Sequence, residues 1–147
     1  MPEPIEHSTE IEVRYVETDQ MGVVHHANYL VWLELARTHL CASSGFPYAE
    51  IEKLGYILMV TGAELSYRKG AHYAEKIRVT AWIDQLGSRG VRFAYRVERG
   101  DELLARGATE HVWVDVSTER VCRTPEPLRE PFRKLAGKIR SLARTEG

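Results

Sequence analysis

Between residues 10 and 16 polar and apolar side chains alternate, with Ile11, Val13 and Tyr15 on one side and Glu10, Glu12 and Arg14 on the other. A period of two predicts a half-buried β-strand. The alternation stops over residues 17–27, where Thr18, Asp19, Gln20 and Gly22 favour turns and local side-chain bonding to the backbone, so a loop is expected there. Residues 29–40 then read as a helix. They hold Leu, Ala, Glu, Trp and Arg without Gly or Pro, Asn28 stands where a cap would sit, and Gly45 and Pro47 mark the end. The first half of this helix is apolar nearly all round, through Tyr29, Leu30, Val31, Trp32, Leu33, Leu35 and Ala36, which predicts a buried helix.

Beyond a stretch at 48–55 with room for one or two helical turns, strand-like segments follow at 56–68, 75–85, 91–99 and 102–116. Their connections are short: Gly70-Ala71-His72, Leu86-Gly87-Ser88-Arg89-Gly90 and Gly100-Asp101. Such links join antiparallel neighbours and cannot make parallel crossovers. Residues 128–143, after Pro125 and Pro127, form a basic amphipathic pattern that predicts a terminal helix. The economical architecture is α+β, one antiparallel five-stranded sheet curled around one apolar helix, with a C-terminal helix added. A single domain spanning 1–147 is expected, with its core at about 9–125.

Composition narrows the function classes. The formal net charge is -1 for 147 residues, without the strong basic excess usual in nucleic-acid binders. The N-terminus carries Pro2, Glu3, Pro4 and Glu6 where a secretory signal would be basic and then apolar. No apolar run approaches the roughly 20 residues needed to span a bilayer, so no membrane insertion is expected. Cys41 and Cys122 have no metal-ligand spacing, in keeping with a reducing, cytoplasmic setting.

The candidate chemistry lies in residues 14–29. One short loop brings together Asp19, Gly22, His25, His26 and a helix start, whose orphan amides and dipole favour developing negative charge. In isolation Asp19 reads as a turn residue more often than as a catalytic one. Asp19 with His25 and His26 lacks further ligands at zinc-like spacing, so no metal site is expected. Cys41 and His39 do not share a helix face, and burial is the simpler account of Cys41. Trp32, Trp82 and Trp113 read as core. Arg68, Lys69, Arg89 and Arg92, near strand ends, have the chemistry to grip phosphates, although a solvated surface is the commoner role for any one of them. The basic C-terminal stretch, from Arg129 and Arg133 through Lys138 to Arg144, reads first as a solvated face.

The segment resembles the signature of the 4-hydroxybenzoyl-CoA thioesterase family and its YbgC-like acyl-CoA thioesterase relatives: Asp, two residues, Gly, a hydrophobic pair, then His or Tyr before an Asn/Ser-Tyr helix start. Asp19, Gly22, Val23, Val24, His26, Asn28 and Tyr29 match. Glu34-Leu35-Ala36-Arg37-Thr38 is similar to the family's helix, and Leu65-Ser66-Tyr67-Arg68 to its second stretch. Gly70 stands where many relatives have proline, and Glu75 where many have aspartate.

The resemblance implies the hotdog fold and hydrolysis of an acyl-CoA thioester. It gives Asp19 the role of nucleophile or general base, assisted by His26, with backbone amides at the helix start polarising the carbonyl. Gly22, Val23, Val24, His25, Ala27, Asn28, Tyr29, Arg68 and Arg89 become candidate substrate-binding residues. No cofactor is implied beyond coenzyme A as part of the substrate, and an acyl carrier protein is an alternative thioester donor. Homodimers or dimers of dimers, with the site at the subunit interface, are also implied. The competing function is a non-catalytic acyl-CoA-binding or sensing module of the same fold.

Overall fold

The computed structural model describes residues 3–137. Strands β1 (His7–Glu12), β2 (Tyr56–Tyr67), β3 (Lys76–Leu86), β4 (Gly90–Arg99), β5 (Glu102–Asp115) and β6 (Arg120–Cys122) form one sheet. The order is β1-β3-β4-β5-β2, with β6 on β5, and every pairing is antiparallel. Helix α1 (Ala27–Ser43) packs on β1 and β3, α2 (Tyr48–Lys53) on β2, and α3 (Glu126–Ala136) on β3.

The sheet has six strands where five were expected. A three-residue strand is barely longer than one period of alternation, so β6 leaves no sequence signal. It continues the β5 ladder where β4 stops: Gly90 pairs with Val112, and Trp113 to Asp115 then pair with Cys122 to Arg120. Asp115 makes the turn between them, its Oδ1 accepting from the Ser117 amide at 2.9 Å.

Alternation continues as expected through Val13, then fails. Tyr15–Glu17 is a 3-10 turn, with Tyr15 and Val16 exposed. The cause is Glu17, whose buried carboxylate accepts from the Arg14 amide at 2.8 Å and bends the chain off the sheet.

One face of α1 is buried, through Tyr29, Trp32, Leu33, Ala36, Leu40 and Cys41, against Val79, Ala81, Phe93 and Val97 of the sheet. Each large side chain buried this way contributes about 2 kcal/mol. The other face, with Leu30, Val31 and Leu35, is open to solvent, so burial on all sides does not hold within one chain. The reason is geometric: the sheet covers a helix from one side only.

Beneath α1 lies a buried polar chain. Arg37 donates from Nε to the Tyr48 hydroxyl at 2.9 Å and from Nη1 to the Tyr95 hydroxyl at 3.2 Å. Thr109 Oγ1 lies 2.6 Å from that Tyr95 hydroxyl and 2.8 Å from His111 Nε2.

Helix α3 presents Leu128, Phe132, Leu135 and Ala136 to the sheet end, where Phe132 meets Trp113 edge-on at 5.4 Å. The expected continuation of this helix over residues 138–143 lies outside the described residues.

Candidate active site

The loop between β1 and α1 folds into a small hairpin. Thr18 bridges Val24, the Asp19 amide donates to Val23 O at 2.8 Å, and the Gly22 amide donates to Asp19 O at 3.0 Å. Gly22 holds φ +78°, a conformation that costs other residues about 1 kcal/mol or more. This turn fixes Asp19 by its own backbone: Oδ1 accepts from the amides of Met21 at 2.8 Å and Val23 at 3.2 Å. Oδ2 has no partner among the described residues, and the side chain is exposed.

At the helix start most amides are already occupied. His25 N donates to Glu17 O at 2.9 Å, Ala27 N to His25 Nδ1 at 3.2 Å, Asn28 N to His25 O at 3.0 Å and Tyr29 N to His26 O at 3.1 Å. The amide of His26 has no acceptor among the described residues. A helix tip thus narrows to one available donor. The N-cap is His26 and not Asn28, which lies inside α1 and sends its Nδ2 to Glu17 O at 3.0 Å. His25 and His26 stack with centroids 4.4 Å apart, and because His25 Nδ1 accepts, its neutral ring carries its proton on Nε2.

A cleft of about 240 Å³ opens beside this tip, lined by Val23, Val24, His26, Tyr29, Tyr67, Arg68, Lys69 and Gly70. Tyr67 spans it, its hydroxyl donating to His26 O at 3.2 Å and its ring meeting Tyr29 edge-on at 5.1 Å. Burial raises the pKa of both phenols, so each is a neutral donor at physiological pH. Gly70 permits a close approach, since a Cβ there would stand 2.8 Å from Val23 Cγ1.

The structure therefore gathers Val23, Val24, His26, Tyr29 and Arg68 around one cleft, with Gly22, His25, Ala27 and Asn28 in the adjoining backbone. Asp19 is not one of the cleft's walls; it joins the wall through its two hydrogen bonds with Val23. Arg89 stands elsewhere, in the β3–β4 turn with its carbonyl accepting from the Trp113 amide at 3.0 Å. The 11 residues of β3 separate that turn from the cleft, on the order of 30 Å.

Glu17 carries weight that sequence reasoning did not assign. Its Oε2 accepts from the indole of Trp32 at 2.9 Å. Burial pushes its pKa up, but the Arg14 amide, the indole and the Arg14 guanidinium outweigh burial and hold it below the ordinary value. No pattern in the sequence links residues 17 and 32. Among the described residues no three His, Cys, Asp or Glu side chains converge as a metal ion would require.

A model of the thioesterase-like superfamily matches residues 13–132. YneP of Bacillus subtilis (strain 168), named as a candidate acyl-CoA thioesterase, is 43% identical over 107 residues, which are 72% of this chain and 78% of that protein. The hypothetical protein TT1821 from Thermus thermophilus superposes with a TM-score of 0.86 at 41% identity, covering 91% of this chain and 100% of that one. The DHNA-CoA thioesterase from Staphylococcus aureus gives a TM-score of 0.83 at 34% identity, covering 88% and 90%.

Proposed function

The chain belongs to the thioesterase-like superfamily and is a thioester hydrolase; from that premise we propose that it cleaves acyl-CoA thioesters at the cleft beside the start of α1, with Asp19 as the catalytic carboxylate. The observation that carries this reading is a pairing within one loop. Among the described residues, Asp19 is held by two amides on Oδ1 with Oδ2 left without a partner, while the His26 amide, beside the cleft, lacks an acceptor.

In this reading the substrate carbonyl oxygen accepts from the His26 amide, which stabilises the oxyanion; such a donor is worth roughly 10²- to 10³-fold in rate. Asp19 Oδ2 supplies the electron pair, either to the carbonyl carbon itself or to a proton of the attacking water. The C–S bond then breaks and CoA leaves as its thiolate; on the direct route water next cleaves the acyl anhydride formed on Asp19, releasing the acid and restoring the carboxylate, and neither route requires a metal or further cofactor. The His26 ring and the Tyr67 hydroxyl orient water and acyl group at the cleft. Arg68 and Lys69 supply cations for CoA phosphates or for an acidic carrier protein.

The proposed assembly is a homodimer or dimer of dimers. Strand β2 is a 12-residue sheet edge with Ile57, Met59 and Val60 exposed along it, and α1 adds Leu30, Val31 and Leu35. A second copy pairing along that edge would cover both. A cytoplasmic location is consistent with two unpaired cysteines. Among the described residues no helix is long and apolar enough to cross a membrane.

Thiol release from short, long and aromatic acyl-CoAs tests the reading, with Asp19→Asn and His26→Ala beside the wild type. The expected result is release by the wild type on at least one substrate, near-abolition by Asp19→Asn and a reduced rate for His26→Ala. Binding without release on every substrate would establish a sensor instead. Hydroxylamine trapping separates the two routes, because direct attack alone forms a mixed anhydride.

A further inference from the structure

A strap of six residues, Gly70 to Glu75, runs behind the loop that carries Asp19 and is stitched to it along its length. Val24 N donates to Ala71 O at 2.8 Å, Val23 bridges His72, and Tyr73 N donates to Gly22 O at 3.4 Å. The strap's far end is tied to β1, with Val13 N on Glu75 O at 2.9 Å and Ala74 N on Val13 O at 3.0 Å. Ala74 sits at φ +68°, a conformation an alanine keeps only where its surroundings hold it.

What holds the strap from outside is one arginine at the end of β4. Arg99 Nη1 donates to both oxygens of Glu75, at 2.8 and 3.1 Å, and to Gly70 O at 3.3 Å, so it grips the two ends of the strap at once. Its Nη2 donates to Glu102, which is also paired with Lys69 of the cleft wall. Glu75 in turn closes the strap on itself, with Oε1 accepting from His72 N at 2.7 Å.

We propose that Arg99, acting through Glu75, is a positioning residue of the active site: it fixes the strap, the strap fixes Val23 and Val24, and Val23 fixes Asp19. The inference rests on the reading of Asp19 as catalytic carboxylate. Both partners are partly exposed, at 28% and 30% of their side chains, and ion pairs of that exposure add little to global stability. The contribution of this pair is to geometry, since a displacement of about 1 Å at a reacting group can cost 10²-fold in rate.

Arg99→Met, Arg99→Lys and Glu75→Gln test this by steady-state kinetics together with amide hydrogen exchange. The expected outcome for Arg99→Met is a fall in kcat of about 10- to 100-fold with little change in KM. Exchange should quicken at the Val24 amide and stay unchanged at Val79, in the middle of β3. Arg99→Lys recovers part of the rate, because an ammonium keeps the charge without the fork that reaches Glu75 and Gly70 together. An unaltered kcat and unaltered Val24 exchange in Arg99→Met would overturn the proposal, as would a loss of rate equal to a loss of folded protein. If the wild type releases no thiol, the hydrolase reading fails by itself, and Val24 exchange still decides whether Arg99 holds the loop.

Discussion

Trp32 Nε1 donates to Glu17 Oε2 across 2.9 Å, joining the central helix to the loop that carries Asp19. The bond lies in the interior, where Glu17 also accepts from the Arg14 amide. The buried indole cannot turn to water if the carboxylate is removed. Glu17→Ala is expected to cost about 2 kcal/mol in urea unfolding, the penalty for leaving a buried donor unsatisfied. Glu17→Gln should cost less, since its amide oxygen can still accept.

Asp19→Asn should separate chemistry from folding. The carboxamide oxygen can accept from Met21 and Val23 as Oδ1 does, so the turn and the melting temperature are expected to stay as they are. Loss of the carboxylate removes the base or nucleophile, and kcat should fall by about 10²- to 10⁴-fold. An active Asp19→Asn variant would move the catalytic role elsewhere.

Two glycines are expected to fail differently on substitution by alanine. Gly22→Ala meets no neighbouring atom but is strained by φ +78°, so it should lose roughly 1 kcal/mol of stability. Gly70→Ala drives a Cβ to within 2.8 Å of Val23 Cγ1, in the cleft wall. It should raise KM or lower kcat more than it lowers the melting temperature, as a panel of acyl-CoAs of graded size would reveal.

His111 gives the fold a pH dependence. Burial first, then the Arg37 cation, hold its pKa down to about 4 from an ordinary 6.5. Between those values the unfolded chain binds a proton that the folded chain refuses, so stability rises with pH. The contribution is whole above about pH 6.5 and is lost as pH falls toward 4, on the order of 3 kcal/mol at most. Replacing His111 by phenylalanine should flatten the unfolding free energy over that window; an unchanged slope would assign the dependence to carboxylates.

The four long strands were legible because each is a strand-like run bounded by turn residues, and residue preference and turn chemistry are local properties. The candidate loop was legible for the same reason, since Asp19, Gly22, His26 and Tyr29 lie within eleven consecutive residues. Asn28 shows the limit even there. Its residue type favours a cap, yet the chain turns two residues earlier because the Asn28 side chain has a better use on the carbonyl of Glu17.

Sequence alone, then, determined the succession of the four long strands along the chain, the presence of an apolar helix before the first of them, and the short segment where acid, glycine and histidines meet, but not the order in the sheet, where β2 pairs with β5 and not with β3 as its short link to that strand suggested. Tertiary structure decided the sixth strand, which face of α1 is covered, which helix-start amide is left available, and the placement of Arg89 at the far end of the sheet. It alone joined residues 15 apart in the Glu17–Trp32 bond and 24 apart in the Arg99–Glu75 pair. The physical reason is range: side-chain period and turn preference act over a few neighbouring residues, whereas a buried carboxylate finds its donors, and a clamp its strap, only once packing has brought distant stretches of backbone together.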